Sequence, residues 1–515
     1  MLGVAFSAEC GGTSTDQAPP PSPSCAPGAS IACVGPAGCM GVQVCKPDGG
    51  GYVRCNCAPT GGGSSGGITD GGGIFVGDTG RGDSNGVGGD AEAMDSAGAG
   101  SDATGPALAP VAVSMSSLSG LETEVQLAVA PDGTIAIAWI AVSAGQADSW
   151  IGYRFSTDGG ATFSAIGRMQ IPTGLSGSDP ALAVDGVGNF YLSALGVHFV
   201  GTSPTANADY TRVFVAKAAS GTTTFGAAVD VVSPPQPLLY DHPKILVTAK
   251  GTVVMGFLET QATADGGMPT MGVGRVATSK DGQTWQVGTI VGPPTVEFAN
   301  LFWFCEGAGI LYTTYLESTA AAGYIALRTS IDDGATWSAR SAVISLPTEI
   351  AAGLDPGCVA QGNDVWIAYA ATASPATDPT NNLDAARAIR MAHSPDRGAS
   401  LDTARVDALD AVAGTLGLFP TLVRELDGAL DVAYVTGNSE GDTNGSVRYV
   451  RHAAGAAFGR SVAVDGPLTY TTIRSKSDWL GDYMGAVVSG GRLLVAYPIN
   501  AGGFTHIYFR SLSLQ

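Results

Sequence analysis

Five short stretches of this 515-residue sequence place an acidic side chain just before a run of apolar residues. They are E-T-E-V-Q-L at Glu124, G-S-D-P-A-L at Asp179, Y-D-H-P-K-I at Asp241 and His242, G-L-D-P-G-C at Asp355, and L-G-D-Y-M-G at Asp482. Two related stretches depart from the pattern: E-F-A-N-L-F, with Glu297, and L-F-P-T-L-V, with no acid. Carboxylates gathered in one place repel one another, which raises some of their pKa values or recruits a hard cation such as Ca2+. The spacing also has a plainer origin, since Asp before Pro starts turns well and the copies of a repeat are inherited together. Arg424 in T-L-V-R-E-L and Arg474 in T-I-R-S-K-S are the arginines best placed to meet an anionic ligand, and Tyr483 directly follows the last acid. The five histidines are scattered, and His242, the one among these acids, reads as a hydrogen-bonded turn residue rather than a metal ligand. No Gly-rich phosphate loop, H-E-x-x-H pair or G-x-S-x-G elbow is present. Neither a metal site nor a resident cofactor is therefore assigned. The chemistry on offer is ligand binding, cation binding, or acid–base work by paired carboxylates.

A repeat positions these residues. A turn glycine is followed six residues later by an aromatic in D-G-T-I-A-I-A-W (Trp139), K-G-T-V-V-M-G-F (Phe257), A-G-I-L-Y-T-T-Y (Tyr315), D-G-A-L-D-V-A-Y (Tyr434) and G-G-R-L-L-V-A-Y (Tyr497). G-N-D-V-W-I-A-Y, ending at Tyr369, is one residue longer, and G-N-F-Y-L-S-A-L, ending at Leu195, lacks the aromatic. Units about 55 to 64 residues apart, built of strands and turns, indicate a radial or stacked array. Each unit reads as four strands: short apolar runs bounded by Gly, Asp and Asn, with almost no helical periodicity. The last unit supplies only three strands, and P-V-A-V-S-M at Pro110–Met115 can provide the fourth. Joining the two ends in one blade removes a free sheet edge. The expectation is an all-β, seven-bladed β-propeller of four-stranded antiparallel blades over 108–515, closed by an N-terminal strand, with six blades as the alternative. The acids then sit where each innermost strand begins, at one mouth of the central channel.

The turn between the third and fourth strands carries S-T-D-G-G-A-T-F (Ser156–Phe163) and S-I-D-D-G-A-T-W (Ser330–Trp337), with a shorter S-K-D-G-Q-T-W (Ser279–Trp285) and a divergent S-P-D-R-G-A-S-L (Ser394–Leu401). This pattern resembles the Asp box, or BNR repeat, of sialidase-like propellers. The resemblance implies that Asp158, Asp281 and Asp332 are structural residues at the blade periphery. Physical chemistry agrees, since an Asp side chain can accept backbone N–H groups of its own turn. The resemblance also supplies a comparison for catalysis: an arginine triad, a Tyr nucleophile activated by a Glu, and an Asp acid/base. Here the family's early R-I-P reads L-A-P-V-A-V, only two arginines are placed near inner strands, and Tyr483 is the tyrosine near the mouth. A binding or adhesion module for an extracellular glycan or protein is the first expectation. A glycoside hydrolase acting on an extracellular polysaccharide, and not a true sialidase, is the alternative.

The remainder of the chain points outside the cytoplasm. Cys25, Cys33, Cys39, Cys45, Cys55 and Cys57 crowd a segment with few core-forming residues, and an even count in so small a block reads as three disulfides. The block resembles the cysteine-rich leaders of surface proteins in Gram-negative bacteria. Residues 1–24 before it read as the remnant of an export signal, with Cys10 as a candidate lipid-bearing residue. Residues 58–107, rich in Gly, Asp and Ser, read as a flexible spacer. Cys305 and Cys358 fall on inner strands of neighbouring units, either as a disulfide or as buried thiols. With 25 Lys and Arg against 45 Asp and Glu, the net charge of −20 excludes a nucleic-acid partner and favours solubility or cations. No apolar run reaches the ~20 residues of a membrane span. A secreted or surface-anchored monomer is the reading.

Overall fold

The structure, a computed structural model, describes 30–34, 40–44, 46, 56–57 and most of 109–514. Within the last range it leaves out 115–118, 144–147, 200–207, 233–237, 262–271, 292–297, 319–322, 341, 345–349, 352–355, 373–386, 406–415, 440, 454–455, 472–477 and 502. The chain divides into two units, Met1–Ser96 and Ala97–Gln515. In the first, Ser30–Val34, Met40–Val44 and Asn56–Cys57 form a three-stranded antiparallel sheet. Cys33 and Cys57 lie on its strands, whereas Cys10, Cys25, Cys39, Cys45, Cys55 and the spacer lie outside the described residues.

The second unit is a seven-bladed β-propeller, so the six-bladed alternative falls away. Blade one runs through Ser119–Val129, Ile135–Ser143, Ser149–Ser156 and Gly167–Arg168, each strand antiparallel to the last. The inner strands of blades two, three and four are Ser176–Val184, Leu238–Val247 and Phe298–Gly307. Those of blades six and seven are Leu416–Arg424 and Gly485–Ser489. In blade five the inner position is split between Ile350–Ala351 and Gly357–Gln361, both paired with Asp364–Thr372. Each inner strand packs on those of the two adjacent blades, including blade seven on blade one, which completes the ring. No helix among the described residues is long and apolar enough to cross a membrane.

The repeat's aromatics hold neighbouring blades together. Trp139, Phe257, Tyr315, Tyr369, Tyr434 and Tyr497 are each at most 2% exposed, as is Leu195, which stands in for one of them. Complete burial of such a side chain is worth roughly 1.5–3 kcal/mol. The ring closes as the terminal strand pairing requires: Val111–Ala112 pairs antiparallel with Phe504–Ser513, Tyr508 opposite Ala112 and Phe509 opposite Val111.

Four turns carry the S-x-D pattern, and all four share one geometry. In the Ser330 turn, Ser330 donates to Asp332 (2.8 Å) and accepts the Gly334 N–H, while Asp332 accepts the Thr336 N–H (2.9 Å) and hydroxyl (2.6 Å). The Asp158 and Asp281 turns repeat it. So does the divergent Ser394 turn, where the Ser400 hydroxyl replaces that of Thr at 2.7 Å from Asp396. Sequence divergence there has left the hydrogen bonding intact, because Ser supplies the same donor. Glycine is needed twice over at Gly160: its φ is +89°, and a Cβ would lie 2.0 Å from the Phe509 ring of blade seven.

Candidate functional site

The inner strands share an irregularity that sets the site. The hydrogen-bond ladder slips between Thr123 and Gln126, opposite Ser193 and Leu195, between Asp241 and Lys244, between Asn300 and Trp303, and between Leu418 and Thr421. At each slip one residue takes a left-handed backbone: Glu124 (φ 52°), Asp179 (50°), His242 (46°), Leu301 (59°) and Phe419 (55°). Non-glycine residues rarely adopt this conformation, and a bulge re-aims its side chain. In these five inner strands the repeat thus places one left-handed residue at the same station. Blades one, two and three present ionisable groups there, and blades four and six present buried apolar ones.

This alignment shifts the sequence register by one residue in blade three. The residue at the station is His242, with Asp241 beside it, and in blade four it is Leu301 rather than Glu297. The following proline was the available signal, since Asp179-Pro180, His242-Pro243 and Phe419-Pro420 align on it. Asp355, Glu297 and Arg474 lie outside the described residues. Arg424 ends its inner strand beside Gly428, five residues beyond Phe419, or roughly 16 Å along the strand. It is therefore not gathered with the acids.

Asp179, Asp241 and His242 converge. One potential ligand atom from each lies within 4.8 Å of the others. Asp179 Oδ1 is 3.5 Å from His242 Nδ1, and Asp241 Oδ2 is 3.7 Å from His242 Nε2. The two carboxylates thus face opposite nitrogens of a single ring. A cation held by these three groups would take two carboxylate oxygens and one imidazole nitrogen. Asp179 and His242 are buried, while the Asp241 side chain is 41% exposed and faces solvent.

Asp482 and Glu124 are 2% and 3% exposed, sealed where blades seven and one meet. Gly481, with φ +95°, makes the approach feasible: a Cβ there would lie 2.2 Å from Thr123 Oγ1 and 2.8 Å from the Glu124 nitrogen. Tyr483 is 2% exposed, and its hydroxyl donates to the Pro180 carbonyl at 3.0 Å. Lys244, which the sequence reading passed over in Y-D-H-P-K-I, is 4% exposed with Nζ 3.4 Å from the centroid of the Tyr483 ring and 5.4 Å from that of Trp303. Blades two, three and seven meet here across the channel, because blade one separates seven from two. Tyr483 and Lys244 therefore form a floor at the level of the bulges, and the Tyr483 hydroxyl points into backbone rather than into the mouth.

No protein-family model and no curated protein matches the sequence. Among solved structures, the chain is similar to a protein of unknown function from Dyadobacter fermentans (TM-score 0.48, 15% identity, covering 79% of this chain and 99% of that one). It is also similar to Penicillium chrysogenum alpha-L-arabinanase (TM-score 0.44, 13% identity, 79% of this chain and 98% of that one). Trypanosoma rangeli sialidase gives a TM-score of 0.42 at 13% identity, over 78% of this chain and 57% of that one. These likenesses carry no assignment of activity.

Proposed function

We propose that the propeller is an extracytoplasmic binding module that engages an extracellular glycan or protein at the mouth, with Asp241 as the contact residue and Asp179 and His242 holding it in place. The floor of Tyr483 and Lys244 carries this reading. Glycoside hydrolysis needs two carboxyl groups facing an open groove, with a water or nucleophile between them. In this mouth Asp179, Glu124 and Asp482 are buried, and Asp241 is half-exposed. The tyrosine that could have served as nucleophile has its hydroxyl committed to Pro180. Among the described residues of the mouth, the exposed Asp241 carboxylate beside an imidazole suits recognition of hydroxyl or ammonium groups by hydrogen bonding. The cysteine-rich leader and the spacer suit surface display.

The test is a glycan array and a polysaccharide hydrolysis screen, run with the purified protein and with Asp241→Asn. The expected result is binding that falls at least tenfold in the variant, with no turnover by either protein. Release of sugar by the parent protein that Asp241→Asn abolishes would replace this reading with the hydrolase one.

A further inference from the structure

Below the floor the channel changes character. A cavity of about 280 Å³ runs from the bulge level toward the ends of the inner strands of blades one to three. Its wall is apolar, with Leu182, Ile245, Trp303 and Val487 contributed by four different blades. Exposure rises along it: Leu182 and Ile245 are buried, whereas Val129, Val184, Val247 and Val487 are half-buried. The cavity therefore opens at the face opposite the acidic mouth. Two polar side chains line its closed end, Gln126 and Lys244. Gln126 is 6% exposed, and its amide nitrogen has no hydrogen-bond partner. A buried donor left unmade costs roughly 1–3 kcal/mol, a penalty that a ligand oxygen would remove. Lys244 adds positive charge at the same end.

We propose that this lower half of the channel is a second binding site, for a small amphiphile whose apolar chain ends in a carboxylate. The carboxylate enters first, accepting the Gln126 N–H in the field of the Lys244 ammonium, and the chain lies along Leu182, Ile245 and Val487. An apolar cavity of 150 Å³ admits benzene, so this volume holds roughly ten to twelve non-hydrogen atoms. The size matches a saturated carboxylate of about ten carbons. The site is separate from the mouth and does not depend on the glycan-binding reading.

The probe is decanoate, titrated calorimetrically into the purified protein below its micellar concentration, with decyltrimethylammonium as a comparator of the same chain and opposite charge. One-to-one binding of decanoate alone is expected. Gln126→Leu, which keeps the volume but removes the donor, should weaken it at least tenfold. Val487→Trp, which fills the open end at a half-exposed position, should abolish it. Asp241→Asn, on the other side of the floor, should leave it unchanged. The proposal is overturned if decanoate shows no saturable binding, if the cationic comparator binds equally, or if both cavity variants bind decanoate as the parent does.

Discussion

Lys244 of blade three holds its ammonium 3.4 Å from the ring centroid of Tyr483, a residue of blade seven, on the far side of the channel. Tyr483 in turn donates to Pro180 of blade two, so one tyrosine joins three blades. Desolvated cation–π contacts reach about 2 kcal/mol and a neutral hydrogen bond about 1 kcal/mol. Tyr483→Phe is therefore expected to cost about 1 kcal/mol of unfolding free energy. Lys244→Met, which keeps the stem and removes the charge, is expected to cost about 2 kcal/mol. Urea denaturation of the purified protein measures both, and parent-like stability in the two variants would mean that the floor does not brace the ring.

The Asp turns make the propeller acid-sensitive in a definite window. Hydrogen bonds from Thr162 and Ser156 lower the Asp158 carboxyl from 3.8 to about 2, and Asp281, Asp332 and Asp396 are lowered by equivalent donors. A carboxyl with a depressed folded pKa contributes stability above its unfolded value and loses it as the pH falls through its folded value. Asp158→Asn should thus unfold more readily than the parent protein at pH 6. The gap should narrow below pH 4 and close near pH 2. Denaturation curves at those three pH values check it, and a gap independent of pH would point to a packing effect instead.

Asp431 behaves in the opposite sense. It is fully buried beside Glu425, whose own carboxylate is gripped by Arg451 at 2.6 and 3.0 Å. Desolvation first, then the Glu425 charge, raises its carboxyl from 3.8 to about 8. The folded protein consequently holds a proton that the unfolded chain releases, and stability falls as the pH rises from about 4 toward 8. Asp431→Asn imitates the protonated form. It should match the parent at pH 4 and exceed it progressively up to pH 8, as read from melting temperatures across that range.

Cys305 and Cys358 are joined by a disulfide between the inner strands of blades four and five, across a sequence separation of 53 residues. Chain-entropy reasoning gives about 4 kcal/mol for a loop of that size. Cys305→Ser with Cys358→Ala should lower the unfolding free energy by a few kcal/mol. Alkylation without reductant, followed by mass spectrometry, should leave both cysteines of the parent unlabelled, and labelling of either would refute the bond.

The architecture was legible because it is periodic. A turn glycine followed by an aromatic recurs often enough that Trp139, Phe257 and Tyr497 announce the same station in different blades, and the S-x-D turns mark another. The site was legible only in outline. Acids at inner-strand starts drew attention to Asp179 and Asp241, but a bulge changes which of two adjacent residues takes the left-handed station, and that turned on the proline after His242. Lys244 escaped notice because its partner, Tyr483, is 239 positions away in sequence, and no local pattern encodes a contact made across a ring. Arg424 failed for the converse reason: it shares an inner strand with the Phe419 station but lies at the wrong end.

Ring closure rests on a short strand backed by a buried polar cluster. Glu122 is fully buried and accepts from Ser114 Oγ at 2.5 Å, with His506 Nδ1 2.8 Å from the same oxygen. Ser114 also accepts the Ile507 N–H at 2.7 Å, so the hydroxyl ties the closing strand to blade seven while Glu122 belongs to blade one. Val111–Ala112 alone offers only two paired residues, which is little against the entropy of fixing them, about 1–2 kcal/mol each. The Val113 and Ser114 N–H groups, which donate to the Ile507 carbonyl at 2.8 and 3.3 Å, and the Ser114–Glu122–His506 cluster supply the rest. Ser114→Ala removes the hydroxyl from a hydrogen-bonded buried carboxylate, and the expected cost is about 2–3 kcal/mol. Glu122→Gln can still accept from Ser114, and should cost less. Hydrogen exchange at Ile507 and Phe509 reports the closure directly: protection there should fall in Ser114→Ala ahead of protection in blade three. If exchange rises uniformly across all blades instead, closure and global unfolding are one event and the cluster is not a separate latch.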